Sequence, residues 1–213
     1  FYIVNWSKEA LNFYKSKGGL INLKNIESEG VVWSLITSSN SSFRIKKEYD
    51  VVSSASPTII AMDKLKNENY YILSFLNSKI TNRLLKMYNP TLNTTVSDIL
   101  NLPLLFSEIH KPEIDSLVEE NIKISKIDWD SYETSWDFEV SPLLDESKIV
   151  KTNSIEKAYE DYKDYVNSNF EKLKQNEERL NEIFIEIYGL EDELTPEVSD
   201  RDITVAKIFD NKK

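Results

Sequence analysis

The stretch that decides the fold is SIEKAYEDYKDYVNSNFEKLKQNEERLNEIFIEIYG, residues 154–189. Ser154 stands as an N-cap. Ile155, Tyr159, Tyr162, Val166, Phe170, Leu173, Leu180, Ile183, Phe184 and Ile187 then recur at three- and four-residue spacing, until Gly189 supplies a stop. The spacing predicts one amphipathic helix of roughly 34 residues, about 50 Å long at 1.5 Å per residue. A helix of that length needs a partner or serves as a spacer. Asn169 and Asn176 interrupt its stripe, which favours a spacer or intramolecular packing over a regular coiled coil. Upstream, His110-Lys111-Pro112-Glu113 opens a second helix to Lys126. Residues 127–142 alternate acidic and aromatic residues without helical period, as in an irregular packed connector. Past Gly189, Thr195-Pro196 has the form of a cap followed by proline, but nothing beyond it forms a complete element.

The N-terminal half has a different pattern. Tyr2-Ile3-Val4, Val31 to Ile36, Phe43-Arg44-Ile45 and Ile59 to Met62 read as strands, separated by Gly18-Gly19, Gly30 and the polar tract Ser38 to Ser42. Lys8 to Lys17 reads as a short helix capped by Ser7 and ended by Gly18. Asn69 to Met87 reads as one helix with Tyr70, Leu73, Leu76, Ile80 and Leu84 on one face, stopped by Asn89-Pro90. Thr94 to Ile99 has the look of a short strand or turn. The expected class is α+β: a mixed α/β domain over residues 1–112, an acidic aromatic connector over 113–153, and a long spacer helix with its tail over 154–213.

The chain has 213 residues and a net charge of −10, and its charge is divided unevenly. Residues 1–112 carry 13 Lys/Arg against 9 Asp/Glu, and residues 113–213 carry 13 against 27. That asymmetry implies two jobs in one chain. Zero cysteines exclude disulfides, thiolate catalysis and cysteine-bound metal centres. There is no long apolar run and no secretory pattern, so a cytoplasmic location is expected. The opening at Phe1, within strand-like sequence and without methionine, reads as that of an excised fragment.

Two basic groups are candidates for phosphate contact: Arg44, Lys46 and Lys47 at the end of a strand-like segment, and Lys79, Arg83 and Lys86 on one helical side. The alternative for both is an ordinary solvated face. Ser38 to Ser42 can reach base edges, or can be a plain hairpin loop. Asp130 with Glu146-Ser147-Lys148 loosely matches a nuclease magnesium site but reads as solvated surface, and His110 reads as a cap or loop residue.

Several strings go further. YIVNW (2–6), VWSLITS (32–38) followed by Ser42-Phe43-Arg44, LNSK (76–79) with NPTL (89–92), Asp98-Ile99 with Leu102-Pro103, and DWDSYETSWDF (128–138) all resemble the PglX family. So do Asn176-Glu177-Glu178 through IFIEIYGL (183–190), and ELTPEV (193–198). These are the adenine-specific DNA methyltransferases of type 1 BREX phage-defence systems. The resemblance implies a target-recognition region with a helical spacer, which presents loops to the major groove of double-stranded DNA. In the family, the S-adenosylmethionine-binding and base-flipping motifs lie N-terminal to this region. Neither a glycine-rich cofactor loop nor an Asn-Pro-Pro-aromatic string is present, so no cofactor, metal or catalytic residue is expected in this stretch. NPTL (89–92) reads as a helix stop. The helix carrying LNSK, with Asp98-Ile99 and Leu102-Pro103, is also similar, more loosely, to the end of recognition domains in type I restriction-modification specificity subunits. The other reading is a protein-interaction module. Its acidic half, anchored by Trp129, Trp136 and Phe138, would dock the methyltransferase domain, other BREX components or a phage inhibitor.

Overall fold

A computed structural model describes residues 3–18, 23–62, 65, 67–144 and 154–209. The chain forms two compact units, Phe1–Leu104 and Leu105–Lys213.

In the first unit, helix α1 (Lys8–Ser16) begins where the Ser7 side chain accepts a hydrogen bond from the Ala10 amide, as its sequence predicts. A four-residue helix α2 (Leu23–Ile26) leads to strand β1 (Gly30–Trp33). Strand β1 is the centre of a three-stranded antiparallel sheet, with β2 (Phe43–Lys46) on one side and β3 (Thr58–Ile59) on the other. The register places Trp33 opposite Phe43 and Gly30 opposite Lys46. Glycine is required at position 30, because a Cβ there would lie 2.4 Å from the Ile59 carbonyl oxygen.

Four expectations for this unit need correction. Ile3 and Val4 are not in a strand, and Tyr2 lies outside the described residues. The strand expected at Ile59 to Met62 shortens to Thr58–Ile59, which is half-buried and pairs with Val31 and Val32 of β1. The single helix expected from Asn69 to Met87 is two helices, α3 (Asn69–Asn77) and α4 (Lys79–Tyr88). At the break, Ser78 takes an extended conformation; its hydroxyl donates to the Phe75 carbonyl and accepts from the Thr81 amide. A serine that satisfies two backbone groups in this way ends one helix and caps the next. Finally, Thr94 to Ile99 is not a strand but leads into helix α5 (Val96–Leu100), nucleated by a reciprocal capping box between Thr95 and Asp98.

The second unit is built on α6 (Lys111–Asp130) and α7 (Ile155–Tyr188). The predicted caps of α7 hold: Ser154 accepts from the Lys157 amide, and Gly189 adopts φ 63°, ψ 43°, the left-handed conformation that glycine enters without penalty. Helix α6 runs on to Asp130, so the first part of the expected irregular connector is helical and only the turns after it match. The two helices pack antiparallel. Glu113 meets Arg179, and Glu120 and Asn121 meet Asn176, while Ile124 packs with Phe170 and Leu173. Asn176, an interruption of the stripe in sequence terms, is buried; its amide donates to Glu120 Oε2 and to Asn121 Oδ1, both at 2.8 Å. A buried amide with matched acceptors fixes helix register at little cost in stability. At the other end of the stripe, Ile155 and Tyr159 are exposed, and burial starts at Val166.

Among its described residues the tail contains one short 3-10 turn, Asp200–Asp202, yet it is packed. Ile203 and Val205 join the core of Ile124, Phe170 and Leu173. The Ala206 amide donates to Asp128, and the Ile208 amide to the Asn167 side chain. Burial, together with the carboxylates of Asp202 and Glu178, raises the Glu177 carboxyl to about 7. The folded state therefore holds this proton more tightly than the unfolded chain does. The associated stability is present below the unfolded value of about 4.5 and is lost as pH rises through about 7. Glu177→Gln is expected to leave chemical denaturation unchanged near pH 4.5 and to stabilise the unit by up to about 3 kcal/mol at pH 8. Equal shifts at both pH values would contradict this.

Candidate nucleic-acid interface

The chain after β1 and the chain after α4 are held together. The Thr94 amide donates to the Leu35 carbonyl at 2.8 Å and the Thr37 amide to the Leu92 carbonyl at 3.0 Å, with Ile36 and Asn93 bridged between them. The buried indole of Trp33 donates to the Thr94 carbonyl at 2.8 Å, and the hydroxyls of Ser41 and Thr94 lie 2.6 Å apart. Asn89, the expected helix stop, is the C-cap of α4. Its side-chain amide donates to the Asn93 carbonyl and to Asp98, and its carbonyl oxygen accepts from Thr91.

These bonds join two of the chain's acid-free stretches. Residues 34–47 and 76–97 contain no aspartate or glutamate, in a chain with 36 acidic residues. The first carries Arg44, Lys46 and Lys47, and the second Lys79, Arg83 and Lys86. The nearest following acid, Asp98, is engaged in its own capping box. Burial opposes its ionisation, but hydrogen bonds from Asn89 and Thr95 outweigh that and hold its carboxyl below the usual range.

The six candidate cations are not equivalent. Arg44, Lys47, Arg83 and Lys86 are exposed, and Lys79 is half-buried. Lys79, Arg83 and Lys86 share one side of α4, opposite its buried Thr81 and Leu85. Lys46 corrects the expectation that it faces phosphate. It is 2% exposed, and its ammonium donates to the carbonyls of Ile26, Ser28 and Lys47 at 2.8–3.1 Å. Burial lowers its pKa, opposed by the carboxylates of Asp50, Glu29 and Glu48. Strand alternation puts Lys46 on the same face as exposed Arg44, but the end of α2 and the turn after β2 cover it, and it pins both.

The remaining candidates lie in the second unit. Trp129 and Trp136 are 46% and 62% exposed, and Phe138 is half-buried. Lys126 lies among them and pairs with Asp130 and Asp137, both at 2.6 Å. Asp130, proposed above only as a loose nuclease match, is thus engaged by Lys126 and also accepts from the Ser135 hydroxyl; Glu146 and Lys148 lie outside the described residues. His110 stands at the N-cap of α6, its ring 2.9 Å from the Ser107 hydroxyl. Gly18 and Gly189 end helices, and the space at Gly30 is taken by Ile59.

Removing the Lys46 ammonium takes a charged donor away from three carbonyls, of which those of Ile26 and Lys47 also accept from the amides of Tyr49 and Asp50. Lys46→Met is expected to lower stability by about 3 kcal/mol, against less than about 0.5 kcal/mol for Lys47→Met, as read by denaturant midpoints. Equal effects would show that the buried contacts of Lys46 contribute nothing.

No protein-family model matches the chain. Two curated relatives do. The adenine-specific methyltransferase PglX of Lacticaseibacillus casei (strain Zhang) is 33% identical over 216 aligned residues, covering 97% of this chain and 18% of the relative. The adenine-specific methyltransferase BrxX of Escherichia coli O9:H4 (strain HS) is 27% identical over 194 residues, covering 91% of this chain and 15% of the relative. The chain thus spans less than a fifth of the length of either relative. Over nearly its whole length, this chain is homologous to a segment of the PglX and BrxX adenine-specific methyltransferases.

Proposed function

We propose that this chain is a non-catalytic DNA-recognition part of an adenine-specific methyltransferase of a BREX phage-defence system. The observation that carries this reading is the joining, in the first unit, of two acid-free, cation-bearing stretches within an otherwise acidic protein. Phosphates repel carboxylates and attract Lys and Arg, so a surface cleared of acids suits a duplex backbone. Phosphate contacts set position and orientation, and contacts to base edges set sequence. A recognition part of this kind holds the duplex while a methyltransferase domain elsewhere takes the adenine out of the stack and supplies S-adenosylmethionine. The homology to adenine-specific methyltransferases supports that division of labour, with double-stranded DNA and that domain as partners in the bacterial cytoplasm.

The expected outcome is weak, salt-sensitive binding of a short duplex, falling steeply between about 50 and about 200 mM salt. Lys47→Ala with Arg83→Ala and Lys86→Ala removes three exposed cations. That combination is expected to flatten the slope of log affinity against log salt by about 3. Fluorescence anisotropy measures both, and binding indifferent to salt and to these changes would sink the proposal.

The two exposed tryptophans of the second unit support a docking surface as a second reading. Exposed indoles in a charged surround are frequent anchors of protein interfaces. Trp136→Ala is then expected to lose a co-purifying protein partner while duplex affinity stays unchanged. Retention of every partner rules against this role.

A further inference from the structure

We infer that the Ser38–Ser42 loop together with Arg44 is the base-reading element of the first unit, while the Lys79, Arg83 and Lys86 side of α4 grips phosphate without reading sequence. The inference rests on the DNA-recognition reading above and assigns roles within it.

Base reading requires a stiff element, because a side chain that must be ordered on binding loses much of its discrimination. This loop is held at both feet. At its start, the Thr37 amide is bonded to the Leu92 carbonyl; at its end, the Ser41 hydroxyl meets Thr94 at 2.6 Å. One residue beyond Ser42, the Asn77 side chain clamps Phe43, accepting from its amide and donating to its carbonyl, both at 3.0 Å. Inside the loop, the Ser39 amide donates to the Thr37 hydroxyl at 3.2 Å. The tip is therefore a short span between fixed points and not a free hairpin loop.

The tip's chemistry suits the major groove. Ser38, Ser39, Asn40 and Ser42 are exposed, and none carries a charge that phosphates would repel. An asparagine amide matches the donor and acceptor on adenine N6 and N7, serine hydroxyls match either kind of edge, and arginine matches guanine O6 and N7. Arg44 lies two residues beyond the tip and is exposed. Ile36, 65% exposed at the foot of the loop, offers methyl groups to a thymine C5-methyl. The α4 side differs in kind. Its three long cations repeat at i, i+4 and i+7, and the one short amide on that side, Asn82, is half-buried, an arrangement that meets backbone charge.

The test is selection from a pool of duplexes with a randomised central segment, using the whole chain and its variants. Wild type is expected to enrich a motif. Asn40→Ala should lose roughly tenfold discrimination at one base pair while total duplex affinity falls less than about threefold. Lys79→Ala with Arg83→Ala and Lys86→Ala should return the wild-type motif with affinity lower by about tenfold and a salt slope flatter by about 3. The wild-type motif returned by both Asn40→Ala and Arg44→Ala overturns the inference. Duplex retained by wild type without any enriched motif overturns it too, and leaves the DNA-recognition reading standing. No duplex retained at low salt overturns both.

Discussion

The buried indole of Trp33 is the constraint on which the first unit depends. It is fully buried at the centre of the sheet, its ring packs 5.6 Å from that of Phe43, and its only polar atom donates to the Thr94 carbonyl. A buried Trp N–H needs a partner, and here the partner lies 61 residues away in sequence. That one requirement brings the segment after α4 against the segment after β1, where the Leu35, Thr37 and Thr94 backbone bonds complete the join. The acid-free composition of both segments becomes a surface property only because of this contact.

The second unit is organised by a different principle. Its helices meet along a core of Ile124, Phe170 and Leu173. Polar groups select the register: Asn176 finds Glu120 and Asn121, and Arg179 forms a two-pronged pair with Glu113, which draws the Glu113 carboxyl below its usual range. The tail then covers the helix pair with Ile203 and Val205. A long, strongly acidic helix is thereby packed along its C-terminal part, while its first turns, with Ile155 and Tyr159, stay exposed.

Much of this architecture was legible from local rules. The ends of α7 at Ser154 and Gly189, the start of α1 at Ser7 and the stop at Asn89 all follow from capping chemistry, which involves residues within a few positions of each other. The α5 helix was equally local, since Thr95 and Asp98 have the capping-box spacing, but the β-branched run Thr94-Thr95-Val96 masks it as a strand. The break at Ser78 is harder to read, because the apolar face continues on both sides of it and only the serine hydroxyl's competition for backbone groups reveals it. The homology to PglX and BrxX was legible in the same strings that carried the resemblance.

The sequence by itself determined the α+β class, the long capped helix, the uneven charge and the homology to a segment of the PglX and BrxX methyltransferases. Each of these is a property of neighbouring residues or of composition. Tertiary structure alone decided that Lys46 is an internal clasp and not a phosphate ligand, that Asn176 sets register, and that residues 34–47 and 76–97 share a join. The reason is that a side chain's role depends on which face of its strand or helix is covered, and by what. Partners 20 or more residues away supply that cover, as Ile26 does for Lys46 and Thr94 for Trp33.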